Sequence, residues 1–361
     1  MKKYIVKLYD ESLGFLAVVN PRLIGNKISF PSFINGGQGA LSLDLIANSA
    51  DRIVRGFADY EEGTFIDVGH FIKVFEISEN DPEGRQIYFG VIEDYRPFVD
   101  ERKEGVRLVC NGIYSMLGRF FYRDSDTDYE VSIDDDPRDV IIDIIDNFSG
   151  DYPGLISAGA EMDSFATDAN LSFSEKTWLA AVEEAFSKTD ESWYWFIDSS
   201  GVFILKQKPA TATHLFTIKK DMVSVNVNNA GKGIRNFLRL THGAGTKNYS
   251  DAASITAYGL RGEIKTNTSA VDEATADLEG NKFIEENKNP KQSILVELNN
   301  SFDFGKIRPG HTCTLLFGQG ASSLLPENML IVKTTYQEDG MIVELEEETR
   351  DFNLELKKIV S

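Results

Sequence analysis

Short strand-like runs open and close this chain, and two stretches of helical spacing separate them near its middle; nothing else in the sequence limits the fold so strongly. Residues 3–9 and 15–19 are β-rich runs split by a turn-prone segment. Residues 71–77 alternate and 85–92 follow the polar turn 79–84, which predicts a hairpin, and 106–110 closes the set. Short strands with regular turns and no long helix predict a barrel or sandwich over 1–118. Gly36, Gly37 and Gly39 lack the Lys-Ser/Thr ending of a phosphate-cradling loop and read as a flexible turn.

The period changes after Asp124. Asp136 followed by Pro137 predicts an N-cap and a first helical residue, and Val140, Ile141, Ile144, Ile145 and Phe148 then share one helical face. A second helix is predicted over 175–188, capped by Ser174, with Trp178, Leu179, Val182, Ala185 and Phe186 turned inward. The aromatic run 193–197, the turn 198–201 and the run 202–205 form a hairpin, so 119–208 reads as an α+β module. Strand periodicity returns at 216–218, 223–227, 237–240, 313–317, 330–333 and 341–345. Between these runs, 254–310 holds a Tyr258-Gly259-Leu260-Arg261 turn, a polar helix with spaced Ala270, Ala274 and Ala276, an exit at Pro290, a strand and the turn Ile307-Arg308-Pro309-Gly310. The expected layout is a second β-barrel from 209–253 and 308–350, a helical excursion over 254–307 that packs with the α+β module, and a tail over 351–361.

The 361 residues leave room for two or three domains at about 100–200 residues each. No apolar run approaches the roughly 18 residues of a membrane span. Residues 1–8 start basic but lack an apolar core, and read as a first strand rather than a signal peptide. A formal charge of −20 argues against phosphate binding by the chain as a whole. Cys110 and Cys313 sit far apart in strand-like segments and read as buried free thiols.

Carboxylates are so abundant that any one pair is uninformative. Asp134-Asp135-Asp136 does not follow the EF-hand order and stands where an N-cap cluster belongs. His70, His214, His242 and His311 show no paired ligand spacing, and there is no G-x-S-x-G elbow. Trp193-Tyr194-Trp195 reads as core packing rather than a sugar platform. No catalytic, cofactor-binding or metal-binding residue is assigned, no cofactor is expected, and the chain reads as a non-enzyme. Arg235, Arg239, Arg261 and Arg308 gather around the C-terminal β region. Two readings stay open for them: contact with an acidic partner or subunit, and ordinary pairing with surface carboxylates.

This order of elements resembles the hub proteins at the tip of bacteriophage tails. The features that carry the resemblance are the N-terminal β region, the helices near Pro137 and Ser174 with the hairpin 193–205, the Tyr258-Gly259-Leu260-Arg261 turn, the helix ending before Pro290, and the Ile307-Arg308-Pro309-Gly310 entry to a strand. The resemblance implies two tube-like β-barrel domains plus an α+β module and a helical excursion, in a mainly β fold with α+β insertions. It also implies a homotrimeric virion structural protein, made in the host cytoplasm. Such a protein forms a ring-shaped hub in the tail tip or baseplate, joins the tail tube to the distal adsorption apparatus and lines the DNA channel. Partners would be a distal tail ring protein, the tail tube and tape-measure protein, and a distal fibre or spike; genomic DNA would pass through unbound, helped by the acidic charge. Many hub chains continue into a peptidase, lysozyme or receptor-binding region. This one stops at Ser361, so such activities are expected from another protein. A carboxylate-based cell-wall or carbohydrate-cleaving enzyme is the alternative reading, and a β-rich binding module using its aromatics is a third.

Overall fold

The computed structural model describes residues 3–19, 27–46, 67–78, 81–99, 104–122, 130–165, 168–189, 193–217, 220–230, 233–267, 272–289, 291–299, 304–316 and 328–348. The expected tail over 351–361 and the helix residue Ala270 lie outside the described residues. The N-terminal third contains β1 (Lys3–Tyr9), β2 (Phe15–Val19), β3 (Ser29–Phe33), β4 (Leu41–Ile46), β5 (Phe71–Ser78), β6 (Asp81–Val99) and β7 (Glu104–Gly112). All but β3 form one antiparallel sheet in the order β2-β1-β5-β6-β7-β4. Its alternation serves two cores, because successive side chains leave a strand on opposite faces. Val6, Leu8, Ile72, Val74, Tyr88 and Ile92 face one. Phe71, Phe89 and Val91 face the other.

That second core belongs to the α+β region: β8 (Glu130–Asp135), α1 (Pro137–Asp151), β9 (Ser157–Met162), β10 (Ala169–Ser174), α2 (Trp178–Ser187), β11 (Trp193–Ile197) and β12 (Val202–Gln207). Asp136 caps α1 as its sequence demands, accepting from the Arg138 N–H at 2.8 Å and also from the Phe165 N–H at 3.0 Å. Helix α2 starts later than its local signal suggests. Ser174 ends β10 opposite Glu130, Glu175 turns left-handed (φ 50°), and Thr177 supplies the cap to the Ala180 N–H. Strand pairing has overridden the cap signal at Ser174. Every residue of β11 is buried, on both faces.

The rest of the chain contains β13 (His214–Thr217), β14 (Met222–Ala230), β15 (Phe237–His242), β16 (Gly245–Ser250), α3 (Ala252–Tyr258), β17 (Gly262–Asn267), α4 (Glu273–Asn287), β18 (Lys291–Leu298), β19 (Thr312–Leu316), β20 (Met329–Gln337) and β21 (Gly340–Glu348). A seven-stranded sheet runs β13-β19-β20-β21-β18-β14, with β3 added along β20. A separate three-stranded sheet, β16-β15-β17, is backed by α4 through Leu238, Leu240, Tyr249, Ala276 and Ile284. The architecture is mainly β with α+β insertions.

The strands distribute differently from the expected ranges in three places. The stretch 29–33 leaves the N-terminal sheet for the seven-stranded one. Residues 237–250 stand in the three-stranded sheet, outside the second large sheet, whereas 291–298 pairs between β14 and β21 inside it. The excursion therefore departs after β14 and returns as β18, two strands that are direct antiparallel neighbours, and not from strands near Phe237 and Cys313. Period-two alternation marks a strand without saying which sheet it joins, which is why these memberships are absent from the pattern. Among the described residues each large sheet is an open path, with edges β2 and β4 in one and β13 and β14 in the other.

Candidate functional site

The segment 27–46 ties the molecule together. Its β3 pairs with β20, Ser32 opposite Thr334 and Phe30 opposite Tyr336. The following turn grips β11: the Asn35 N–H donates to the Trp195 carbonyl at 2.9 Å, the Trp195 N–H to Asn35 Oδ1 at 3.1 Å, and the Ile197 N–H to the Gly36 carbonyl at 2.8 Å. Gln38 then docks on β6, accepting from the Phe89 N–H at 2.9 Å and donating to the Ile87 carbonyl. The glycine cluster is thus buried and hydrogen-bonded, a correction to the flexible turn expected from composition: its glycines admit close backbone approach to the neighbouring strand.

Around this clasp the three regions close on one another. Tyr4 and Tyr336 share a hydroxyl hydrogen bond of 3.0 Å, and Tyr336 donates to Glu76 at 2.8 Å. Gly310 (φ 88°) lets the second large sheet pack on Tyr194, since a Cβ there would run into the Tyr194 ring. A cavity of about 300 Å³ remains at the meeting point, lined among others by Gln38, Arg85, Ser199, Arg308 and Met341.

Histidines that look scattered in sequence meet here. Arg308 Nε donates to His311 Nε2 at 2.9 Å, so that nitrogen carries no proton. His311 Nδ1 therefore carries it and donates to His214 Nε2, also at 2.9 Å. Burial, Arg308 and His214 together push the His311 pKa down to about 4, and burial lowers that of His214. Arg308 also reaches Glu161 of β9 at 3.2 Å. Spacing carries no signal for this relay, because His214 and His311 are joined only by the pairing of β13 with β19. His70 and His242 stand apart and accept local backbone N–H groups from Asp67 and Ala244.

An ion lock seats the excursion against α2. The Lys188 ammonium, with its side chain 0% exposed, lies 2.9 Å from Glu184 and 3.0 Å from Glu279 of α4. Asn267 donates to both carboxylates, at 2.9 Å and 2.7 Å. Burial pushes the Glu184 carboxyl up, yet Lys188, Asn267 and Lys176 bring it below its ordinary value. Lys282 is buried as well, donating to the Phe186 carbonyl at 2.8 Å and to Thr189 Oγ1 at 2.9 Å.

Other residues singled out in the sequence fall as follows. Cys110 and Cys313 are buried free thiols. Trp193, Tyr194 and Trp195 are core residues. Arg235 pairs with Glu263 at 3.2 Å and Arg261 reaches the Tyr258 carbonyl, whereas Arg239 lies exposed on the three-stranded sheet. Among the described residues no group of three or more His, Cys, Asp or Glu could hold a metal, and no helix is long and apolar enough to cross a membrane. Exposed apolar side chains mark the open strands: Phe15 and Val18 on β2, Leu215 on β13 and Val223 on β14.

No family model matches the chain, and no curated protein matches it. Solved structures do. The 43 kDa tail protein of prophage MuSo2 from Shewanella oneidensis superposes with a TM-score of 0.60 at 12% identity, covering 95% of this chain and 97% of that one. A tail protein from Neisseria meningitidis MC58 gives 0.59 at 10% identity, with 97% and 98% covered. Prophage tail protein gp18 from Listeria monocytogenes EGD-e gives 0.57 at 9% identity, with 99% and 98% covered. The chain has the fold of these phage tail proteins.

Proposed function

We propose that this chain is a structural, non-enzymatic component of a phage tail tip or baseplate, a ring-forming hub that joins the tail tube to the distal adsorption apparatus. One observation carries the reading: the fold likeness to three phage tail proteins runs over nearly the whole length of both partners in every case. The two large sheets supply the tube-like halves, and the open strands β2, β13 and β14, with their exposed apolar side chains, supply the contacts that close a homotrimeric ring. The α+β region and the excursion stand as the outer contact modules. A charge of −20 suits a wall past which DNA slides without sticking, since like charge repels phosphate. Distal tail ring, tail tube, tape-measure and fibre or spike proteins are the partners in this reading, and the virion tail is its location.

Virions carrying this chain with an epitope tag test the proposal. Antibody label confined to the distal end of the tail is the expected result, together with threefold density in averaged images of that end. Virions without the chain, or a refined ring with a basic lumen, would overturn it.

A further inference from the structure

We propose that β17 is a self-pairing edge through which two copies of this chain associate by a twofold axis in the free protein. The strand pairs with β15 on one side only among the described residues. Its register with β15 runs unbroken from Gly262 to Asn267, with none of the bulges seen in the pairings of β2 and β14. Natural sheets often blunt such an edge with a bulge or a proline, and β17 has neither; the charges it does carry, Glu263 and Lys265, are of opposite sign. At its centre stands Ile264, 76% exposed, the largest exposure among the large apolar side chains described.

What names the occupant is the order of charges along the strand. Laid antiparallel on itself about Ile264, the segment Glu263-Ile264-Lys265 places Ile264 opposite Ile264 of the second copy and Glu263 opposite Lys265 of the second copy, twice by symmetry. The two faces sort correctly. Ile264 lies in register with Arg239 and Asn248 on the face away from α4. Lys265 sits over the Phe283 ring of α4 at 4.1 Å, so the Glu263–Lys265 pairs fall on the α4 side. A shift of one residue sets Ile264 against Glu263 or Lys265, and a shift of two sets Glu263 against Glu263 or Lys265 against Lys265. The contact is independent of the hub reading: a ring closed through the large sheets has threefold symmetry and leaves β17 untouched.

Sedimentation velocity of the full chain over a concentration series tests this. A concentration-dependent dimer is expected. Glu263→Lys and Lys265→Glu each set like charges face to face at two positions and should raise the dimer Kd about tenfold or more, and the double reversal should restore it to near the parent value. Because Glu263 also pairs with Arg235, Ile264→Lys serves as a second probe: the side chain is 76% exposed in the single chain, and two lysines opposed at the axis should abolish the dimer. A monomer at every concentration, a dimer indifferent to all three substitutions, or a trimer alone would overturn the proposal. A trimer that these substitutions leave intact would support the hub while sinking the self-pairing edge.

Discussion

The α+β region, two small sheets with two helices, and the excursion, one small sheet backed by α4, are held in opposite ways. Helix α1 buries Val140, Ile141, Ile144, Ile145 and Phe148, and α2 buries Trp178, Ala181, Val182, Ala185 and Phe186, all in one core with Phe71, Phe89 and Val91 of the neighbouring sheet. Each large apolar side chain so buried contributes about 1.5–3 kcal/mol. Helix α4 buries Thr275, Ala276, Gly280, Lys282 and Ile284, and its seat against α2 is the Lys188–Glu184–Glu279 lock. Buried ions recover little net energy after desolvation but tolerate only one geometry. The first region is fixed by area, the second by alignment.

Two substitutions bear on this contrast most directly. Trp178, packed against Tyr122 and Phe148 at ring distances of 4.9 Å and 5.7 Å, should cost about 3–5 kcal/mol when replaced by alanine, read by urea denaturation. Ile284→Ala in the five-residue core of the excursion should cost near the lower end, about 2 kcal/mol. Equal losses would break the contrast. Lys188→Met removes the one cation shared by Glu184 and Glu279 and should cost about 3 kcal/mol. Its signature is local: hydrogen exchange should speed up in α4 and stay unchanged in α1. Adding Glu279→Gln should recover much of the loss, because the carboxylate left without its cation is then gone, whereas Glu184 keeps Lys176 at 3.3 Å.

The same contrast explains what could be read from sequence. Helix α1 was legible to its cap because Asp136-Pro137 and the Val140 to Phe148 spacing are local signals, and the paired strands of 71–92 announced themselves as two strand-like runs about one polar turn. Strand β3, Ser29-Phe30-Pro31-Ser32-Phe33, shows no clean alternation and carries a proline, and its placement on β20 depends on a partner some 300 residues away. The relay and the lock were illegible for a different reason. His214 with His311, and Lys188 with Glu279, are ordinary polar residues whose meeting is decided by strand order and helix packing. Only Arg308 of the arginine cluster hinted at the junction, and two of the four arginines pair with carboxylates of this same chain, Arg308 with Glu161 and Arg235 with Glu263.

Acid separates the histidine relay from the lock. His311 has its folded pKa depressed to about 4 against an ordinary 6.5, so between those values the unfolded chain binds more protons and stability falls as pH falls. His214 shifts in the same direction and adds to the slope. Protonation sets His311 against Arg308, which also faces Lys206 across Glu161, so the seam between β9, β13 and β19 loosens first. The depressed Glu184 carboxyl works in a lower window: its contribution is full above the ordinary carboxylate value of 4.5 and is lost only below it. Exchange measured in steps from pH 7 to 4 should show amides of β13 and β19 losing protection before those of α4, and His311→Gln should flatten the early loss. Simultaneous loss would mean that the two junctions are not energetically separate.

The finest distinction lies in the caps. Asp136 and Asp272 each accept from a backbone N–H in the first turn of their helices, to Arg138 at 2.8 Å and to Thr275 at 2.7 Å, and alanine at either should cost about 1 kcal/mol. What the loss does should differ. The first turn of α1 stays pressed into the core by Pro137 and Val140, so Asp136→Ala should lower global stability without a local change in exchange. The start of α4 has only Thr275 and Ala276 inward, beside Asp277, which is engaged with Lys247 and Tyr249. There the backbone bonds of the first turn open more readily than the whole protein unfolds, and Asp272→Ala should raise exchange at residues 275–277 by about fivefold, the factor that 1 kcal/mol corresponds to when opening is local. Fraying of both helices to the same degree would show that α1 draws as little from its apolar face at that end as α4 does.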